Sequence, residues 1–335
     1  MDSLTHIVIG GIAGEIVLGK RVGNRAVMWG GLIGTIPDLD VFVAPFLSPV
    51  DALFFHRGIS HSLLTAFILI PILGWVLSKI EKRQKIEFKQ WVGLVAFPWV
   101  LHLFTDCFNT YGTGLFEPFS KVRISYDSMA IVDVFLLLPL IIALVWILLL
   151  PSQKNIRRII SWAGFGFILF YVTLSVFNKK HIETQVISQL KSQQIKYNRL
   201  ITTPVPLSNL FWGIVAEDDS GYFVGNVSNF NETRSIDFNF IPRNSNLLTA
   251  FSENKAIPKL LRFTKGFYAV ECDSLNNTWV HDLRYASLDF KNPNAYVFSF
   301  KIVIKDNNIE VSRSHPKRRI NFKTIRKYSK RGLLK

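Results

Sequence analysis

Seven side chains in the first third of the chain are of the kinds that ligate divalent metals, and they come in short, separated groups. His6 stands alone, Asp38 and Asp40 follow Pro37, His56 and His61 flank "RGIS", and His102 and Asp106 are four apart. Neutral imidazole and ionised carboxylate are the donors selected by zinc and similar ions. The i, i+4 spacing predicts that His102 and Asp106 share one helix face. In an extended "PDLD" loop, the i, i+2 spacing turns both carboxylates to one side. Donors from this many segments suffice for two ions, which could activate a water and clamp a phosphoryl oxygen. Asp40 or Asp106 is a candidate general base. Arg57 and Arg123 are candidates to hold an anionic substrate group. Asp127 and Asp133 add carboxylates at the head of a further segment.

The elements that must position these groups are apolar runs. Residues 131–150 and 159–177 are each about 20 residues long, enough to cross a bilayer as helices. Residues 62–78 are slightly shorter and carry Pro71, a kink signal. Residues 91–104 contain Pro98. The first two runs, 4–18 and 25–36, are short and glycine-rich, as in closely packed membrane helices or re-entrant hairpins. Links between the runs alternate in character. "GKRVGNR", "SKIEKRQKIEFKQ" and "PSQKNIRR" are basic, whereas every His/Asp group falls in the other links. A six-segment zigzag therefore puts all metal donors at one rim and the basic links at the other. Ionisable groups at membrane depth are costly and are functional candidates by default. Four of the seven histidines lie at this one rim.

The 335 residues are 49% hydrophobic with a formal charge of +15. A basic balance fits nucleic acid or an anionic membrane surface, and the apolar half selects the membrane, so no nucleic-acid partner is expected. Cys107 and Cys272, one in each half, give neither a disulfide framework nor a zinc ribbon. The opening "MDSLTHIVIGG" lacks a basic n-region, so no cleavable signal is expected. After 177 the composition changes. Residues 178–200 are predicted to be an amphipathic connecting helix. From 201 to 314, alternating runs such as "LFWGIVAE", "GYFVGNVS", "FYAVEC" and "VFSFKIVIK" predict a small antiparallel β domain, with "KDNN" as a hairpin turn. Residues 315–335 contain no acid and form a basic tail. The expected fold is thus an α-helical integral membrane bundle of about six helices over 1–177, followed by the connecting helix, the β domain and the tail.

The motifs "MDSLTH", "PDLD", "HRGISHS" and "HLFTDCFNTYGTGLFEPFS", followed by Arg123, Asp127 and "IVD", resemble a bacterial family of membrane-bound, metal-dependent hydrolases described as LexA-binding and inner-membrane-associated. The resemblance spans residues 1 to about 133, with "FWGIV", "GFYAVE" and "VHDLRY" similar to the C-terminal part of longer members. It implies a hydrolase grouped with zinc-dependent phospholipase C and nuclease-type phosphodiesterases. It implies a metal site of His6, Asp38, Asp40, His56, His61, His102 and Asp106, with Arg57 and Arg123 in the same motifs.

The sequence therefore leads to a metal-dependent, zinc-type hydrolase of a phosphoester or related ester in a lipid-like substrate, with membrane lipids as its surroundings. Two readings compete: a metal or proton transporter, and a non-enzymatic membrane anchor. The positive-inside rule places the basic links in the cytoplasm. The site and the β domain are then on the outer side of the inner membrane. This leaves LexA only short cytoplasmic links to bind, so that function is not carried over.

Overall fold

The computed structural model describes residues 1–230, 235–285, 296–305 and 308–314. The basic tail and the two central residues of the "KDNN" turn lie outside the described residues. The chain divides into two compact units, Met1–Leu47 with Phe54–Val176, and Ser48–Leu53 with the residues from Phe177 onward.

The first unit is helical. Helices α1 (Ser3–Val22), α2 (Asn24–Thr35), α4 (Leu63–Ile80), α5 (Phe88–Asp106) and α6 (Val134–Leu149), and the first part of α7 (Asn155–Ser192), coincide with the six apolar runs; the short α3 (Pro49–Phe55) precedes the His56 turn. Among the described residues, four stretches are long and apolar enough to cross a membrane: Ser3–Val22, Asn24–Phe46, Leu63–Ile80 and Asn155–Ser192. Helix α6 is shorter. Large apolar side chains lie open on several helices, including Phe67 and Trp75 on α4, Leu138 and Ile142 on α6, and Phe170 on α7. Apolar exposure on this scale is foreign to a water-facing monomer and fits a lipid-facing wall.

Glycines set the spacing of α1 and α2. A Cβ on Gly14 would lie 2.1 Å from the Ala26 carbonyl oxygen, one on Gly30 would lie 2.2 Å from that of Gly10, and one on Gly34 would lie 2.6 Å from that of His6. The partners run 14 with 26, 10 with 30 and 6 with 34, an antiparallel register at backbone contact distance. The rest of the bundle packs through Leu18, Trp91, Leu94, Val95 and Trp99 on one side of α1. Ile9, Ile12, Leu136, Leu140 and Ile168 pack on the other.

One expectation changes here. Asp38 and Asp40 are in a 3-10 helix, Ile36–Phe42, with Pro37 in its first turn, not in an extended loop. Residues two apart on such a helix point to different sides. The division between the units at 176/177 falls inside α7, which runs unbroken through 38 residues, about 57 Å. No glycine or proline interrupts the chain between Gly166 and Ser192, so nothing stops the helix.

Among the described residues, the second unit carries two four-stranded antiparallel sheets. The first orders β1 (Arg199–Pro204), β2 (Phe211–Glu217), β3 (Gly221–Ser228) and β4 (Asn239–Pro242). The second orders β5 (Tyr268–Cys272), β6 (Thr278–Asp282), β7 (Phe298–Lys305) and β8 (Asn308–Ser314). Strand β2 explains the pairing of layers. Trp212, Ile214 and Ala216 face Ile182, Val186 and Leu190 of α7. Val215, on the opposite face, joins Ile201 and Tyr222 against Phe267, Ala269 and Leu283. A strand covered on both faces reads as continuously apolar, as "LFWGIVA" does. Helix α8 (Ala256–Phe263), which was not expected, buries Ile257, Leu260 and Phe263.

Candidate metal centre

Each donor is delivered by a different local device. Asp2 caps α1 by accepting from the Thr5 backbone N–H, which puts His6 in the first turn, fully buried. Asp38 comes from the 3-10 continuation of α2. His61 ends a 3-10 turn, Ile59–His61, and the Ser62 side chain then caps α4. His102 and Asp106 lie on the last turns of α5. Arg57 enters the turn before His61 with a left-handed backbone, φ 58°.

Four of these side chains converge. Asp38, His61, His102 and Asp106 are all buried, and each offers one ligand atom within 4.8 Å of the other three. His61 Nε2 is 3.4 Å from Asp38 Oδ1 and 3.5 Å from Asp106 Oδ2. His102 Nε2 is 3.7 Å from each of the same two oxygens. The two Nε2 atoms are 3.0 Å apart. An ion bound tetrahedrally at about 2.0–2.1 Å has ligands about 3.3–3.4 Å from one another, and the observed spacings bracket that value.

The hydrogen bonds around the group fix the tautomers of its two histidines. His102 Nδ1 lies 2.6 Å from the Gly34 carbonyl, to which it must donate. His61 Nδ1 lies 2.9 Å from Ser60 Oγ, and the Ser60 hydroxyl donates to Asp40 Oδ2 at 2.6 Å. Both imidazoles therefore carry their proton on Nδ1 and aim Nε2 lone pairs at the centre. Burial, reinforced by the charge of Arg57, pushes the His61 imidazole below its usual range, which keeps it unprotonated. Asp38 Oδ1 and Asp106 Oδ2 are buried and accept no hydrogen bond, although Arg57 Nε approaches Asp106 Oδ2 to 3.2 Å out of alignment. Two lone pairs and two carboxylate oxygens facing one point, in a buried setting, are the donor set a divalent cation fits.

The other predicted residues surround this group. His6 stacks on His102 with ring centroids 3.6 Å apart and lies 3.2 Å from Asp106 Oδ1, which also contacts the Met1 nitrogen. Asp40 accepts from His56 Nδ1 at 2.8 Å, from the Arg57 backbone N–H at 2.9 Å and from Ser60, so its oxygens are engaged away from the four-residue centre. His56 is the most open of the four histidines, its side chain 29% exposed. Arg57 is buried, with Asp106 and the Met1 carbonyl as partners. Arg123 is half-buried and donates to the carbonyls of Gly112, Phe54 and His56, which ties the His56 turn to the loop after α5. Asp133 caps α6 and accepts from the Tyr171 hydroxyl, while Asp127 accepts from Ser125. One cluster of four, rather than ligands for two ions, is found among the described residues. Sequence reasoning missed Ser60, Gly34 and Asn109, whose side-chain N–H donates to Asp106 Oδ1. Ser60 and Asn109 stand inside quoted motifs, but nothing in their spacing marks a supporting role.

An uncharacterized protein of Bacillus subtilis strain 168, YfhP, is 24% identical over 313 residues, covering 89% of each chain. No solved structure matches the chain. The family model described as YdjM inner membrane protein matches residues 1–182, which include all the helices of the metal centre and more than half of the sequence. With its apolar helices and its buried Asp/His/His/Asp cluster at their ends, the chain belongs to the YdjM inner membrane protein family.

Proposed function

We propose that this is a membrane-embedded, metal-dependent hydrolase that cleaves a phosphoester or related ester in a lipid-like substrate. The observation that carries this reading is the set of four converging donors from Asp38, His61, His102 and Asp106 at one rim of an apolar bundle. Two imidazoles with two carboxylates favour zinc over the all-oxygen preference of calcium or magnesium. A bound divalent ion supplies Lewis-acid polarisation and a water of lowered pKa. The chain's own groups do the rest. Asp40 fixes the His56 ring through Nδ1 and leaves the partly exposed edge of that imidazole to move a proton at the mouth of the site. Arg57, beside Asp106, is placed to compensate anionic charge, and Arg123 positions the His56 turn.

The rim location suits a substrate with its ester at headgroup level and its chains in lipid. By the positive-inside rule this rim faces outward, and a reporter fused after the last residue tests that orientation. A transporter needs acids along a path to both sides. Here the buried acids toward the basic end, Glu15 and Glu81, are closed by Arg157 and by Arg25 with Trp29, which argues for the hydrolase. The test is metal content. Purified protein is expected to hold zinc or manganese near one ion per chain, and His61→Ala and His102→Ala to lose it. Full retention in both variants would remove the proposal.

A further inference from the structure

The end of the bundle opposite the metal centre has its own site. A polar cleft of about 200 Å³ lies between the last turn of α1 and the start of α7. His6 and Lys20 belong to the same helix, which separates the two sites by about 21 Å along its axis. Lys20, Arg21, Lys154 and Arg158 line the cleft, and all four are exposed. Arg21 donates to Gln90. The side chains of Lys20, Lys154 and Arg158 have no hydrogen-bond or ion-pair partner among the described residues.

The acid in the wall does not neutralise them. Both oxygens of Glu15 are taken by the buried Arg157, at 2.7 and 2.5 Å. Arg157 also donates to Asn24 Oδ1 and to the Leu150 carbonyl, which fixes the start of α7 against α1 and α2. The walls are therefore held in place while four like charges face one space, an arrangement that an anion relieves. Leu149, Ile156 and Ile159, next in sequence to the lining residues 152–155 and 158, are exposed apolar side chains. Basic pockets between membrane helices that border on apolar surface are suited to lipid phosphates.

We propose that this cleft binds the phosphodiester headgroup of an anionic phospholipid, with the acyl chains against Leu149, Ile156 and Ile159. Inorganic phosphate shares the anionic chemistry but would make no use of the apolar rim. The inference stands apart from the proposed hydrolase and holds or fails without it.

The test uses the full chain in neutral detergent, with phosphatidylglycerol, phosphatidylcholine and inorganic phosphate as probes and native mass spectrometry as the readout. One phosphatidylglycerol is expected to be retained, about tenfold more tightly than phosphatidylcholine. The Lys20→Gln/Lys154→Gln/Arg158→Gln variant should weaken it by about tenfold or more. The Lys82→Gln/Arg83→Gln/Lys85→Gln control, which removes the same charge from an exposed link, should change it by less than about twofold. If the triple variant is unstable, Arg158→Gln alone carries the test, with a loss of about threefold expected. Equal losses in variant and control would reduce the effect to general surface charge and overturn the proposal. Equal binding of the two lipids, or complete displacement of phosphatidylglycerol by millimolar phosphate, would overturn it as well.

Discussion

Replacing Gly34 by alanine tests whether backbone contact between α1 and α2 builds the metal centre. The added Cβ would meet the His6 carbonyl oxygen at 2.6 Å and the Gly10 Cα at 3.2 Å. The closest ordinary C···O approach is about 3.3 Å, so the helices must separate by roughly 0.7 Å at this level. Overpacking of this kind costs about 1–3 kcal/mol. The same residue's carbonyl accepts the Nδ1–H of His102 at 2.6 Å, so the shift also turns a donor away from the cluster. Loss of such a supporting contact typically weakens a metal by about 10- to 100-fold, or about 1.4–2.8 kcal/mol. Competition with a fluorescent chelator gives the affinity, and tryptophan fluorescence gives the thermal midpoint. Gly166→Ala is the control, since a Cβ there meets nothing within 4 Å. Affinity and midpoint indistinguishable from wild type in Gly34→Ala would refute the claim that this contact positions His102.

Asp40→Asn is expected to keep metal content within about twofold while turnover falls about a hundredfold or more. Parallel metal and activity assays separate the two, and loss of metal would show that Asp40 supports the metal centre and not only the His56 ring. Glu15→Gln leaves Arg157 buried without its counter-charge and should destabilise by about 3–5 kcal/mol, with a milder effect in Glu15→Leu/Arg157→Leu. Thermal unfolding of both variants in detergent decides, and equal midpoints would show that the pair contributes nothing. The lowered His61 value makes stability pH-dependent. The unfolded imidazole takes up a proton near pH 6.5 and the folded one resists it, so this contribution is whole above about pH 6.5. Below that it falls by up to about 1.4 kcal/mol per pH unit. Chelator-treated protein should therefore melt progressively earlier between about pH 6.5 and pH 5, and a flat or rising midpoint would contradict this.

Much of this molecule could be read from residue order. The six apolar runs coincide with helices because length and composition suffice to specify such elements, and the alternation of basic and His/Asp links follows from chain reversal alone. Strands β2, β3, β5 and β7 were visible as alternating or doubly buried runs. What the order of residues could not give was direction. Asp38 and Asp40 are equivalent in one dimension, and only the 3-10 turn after Pro37 sends one toward His61 and His102 and the other toward His56 and Ser60. Arg123 looks like a substrate anchor in its motif, but its guanidinium is bound to three backbone carbonyls brought near by folding. Whether the second unit holds one sheet or two depends on which strands pair, a long-range choice that local alternation does not encode. Types and spacings determined which side chains could grip an ion. The orientation of each, and therefore which four do, was decided by helix contacts and hydrogen bonds between residues far apart in the chain.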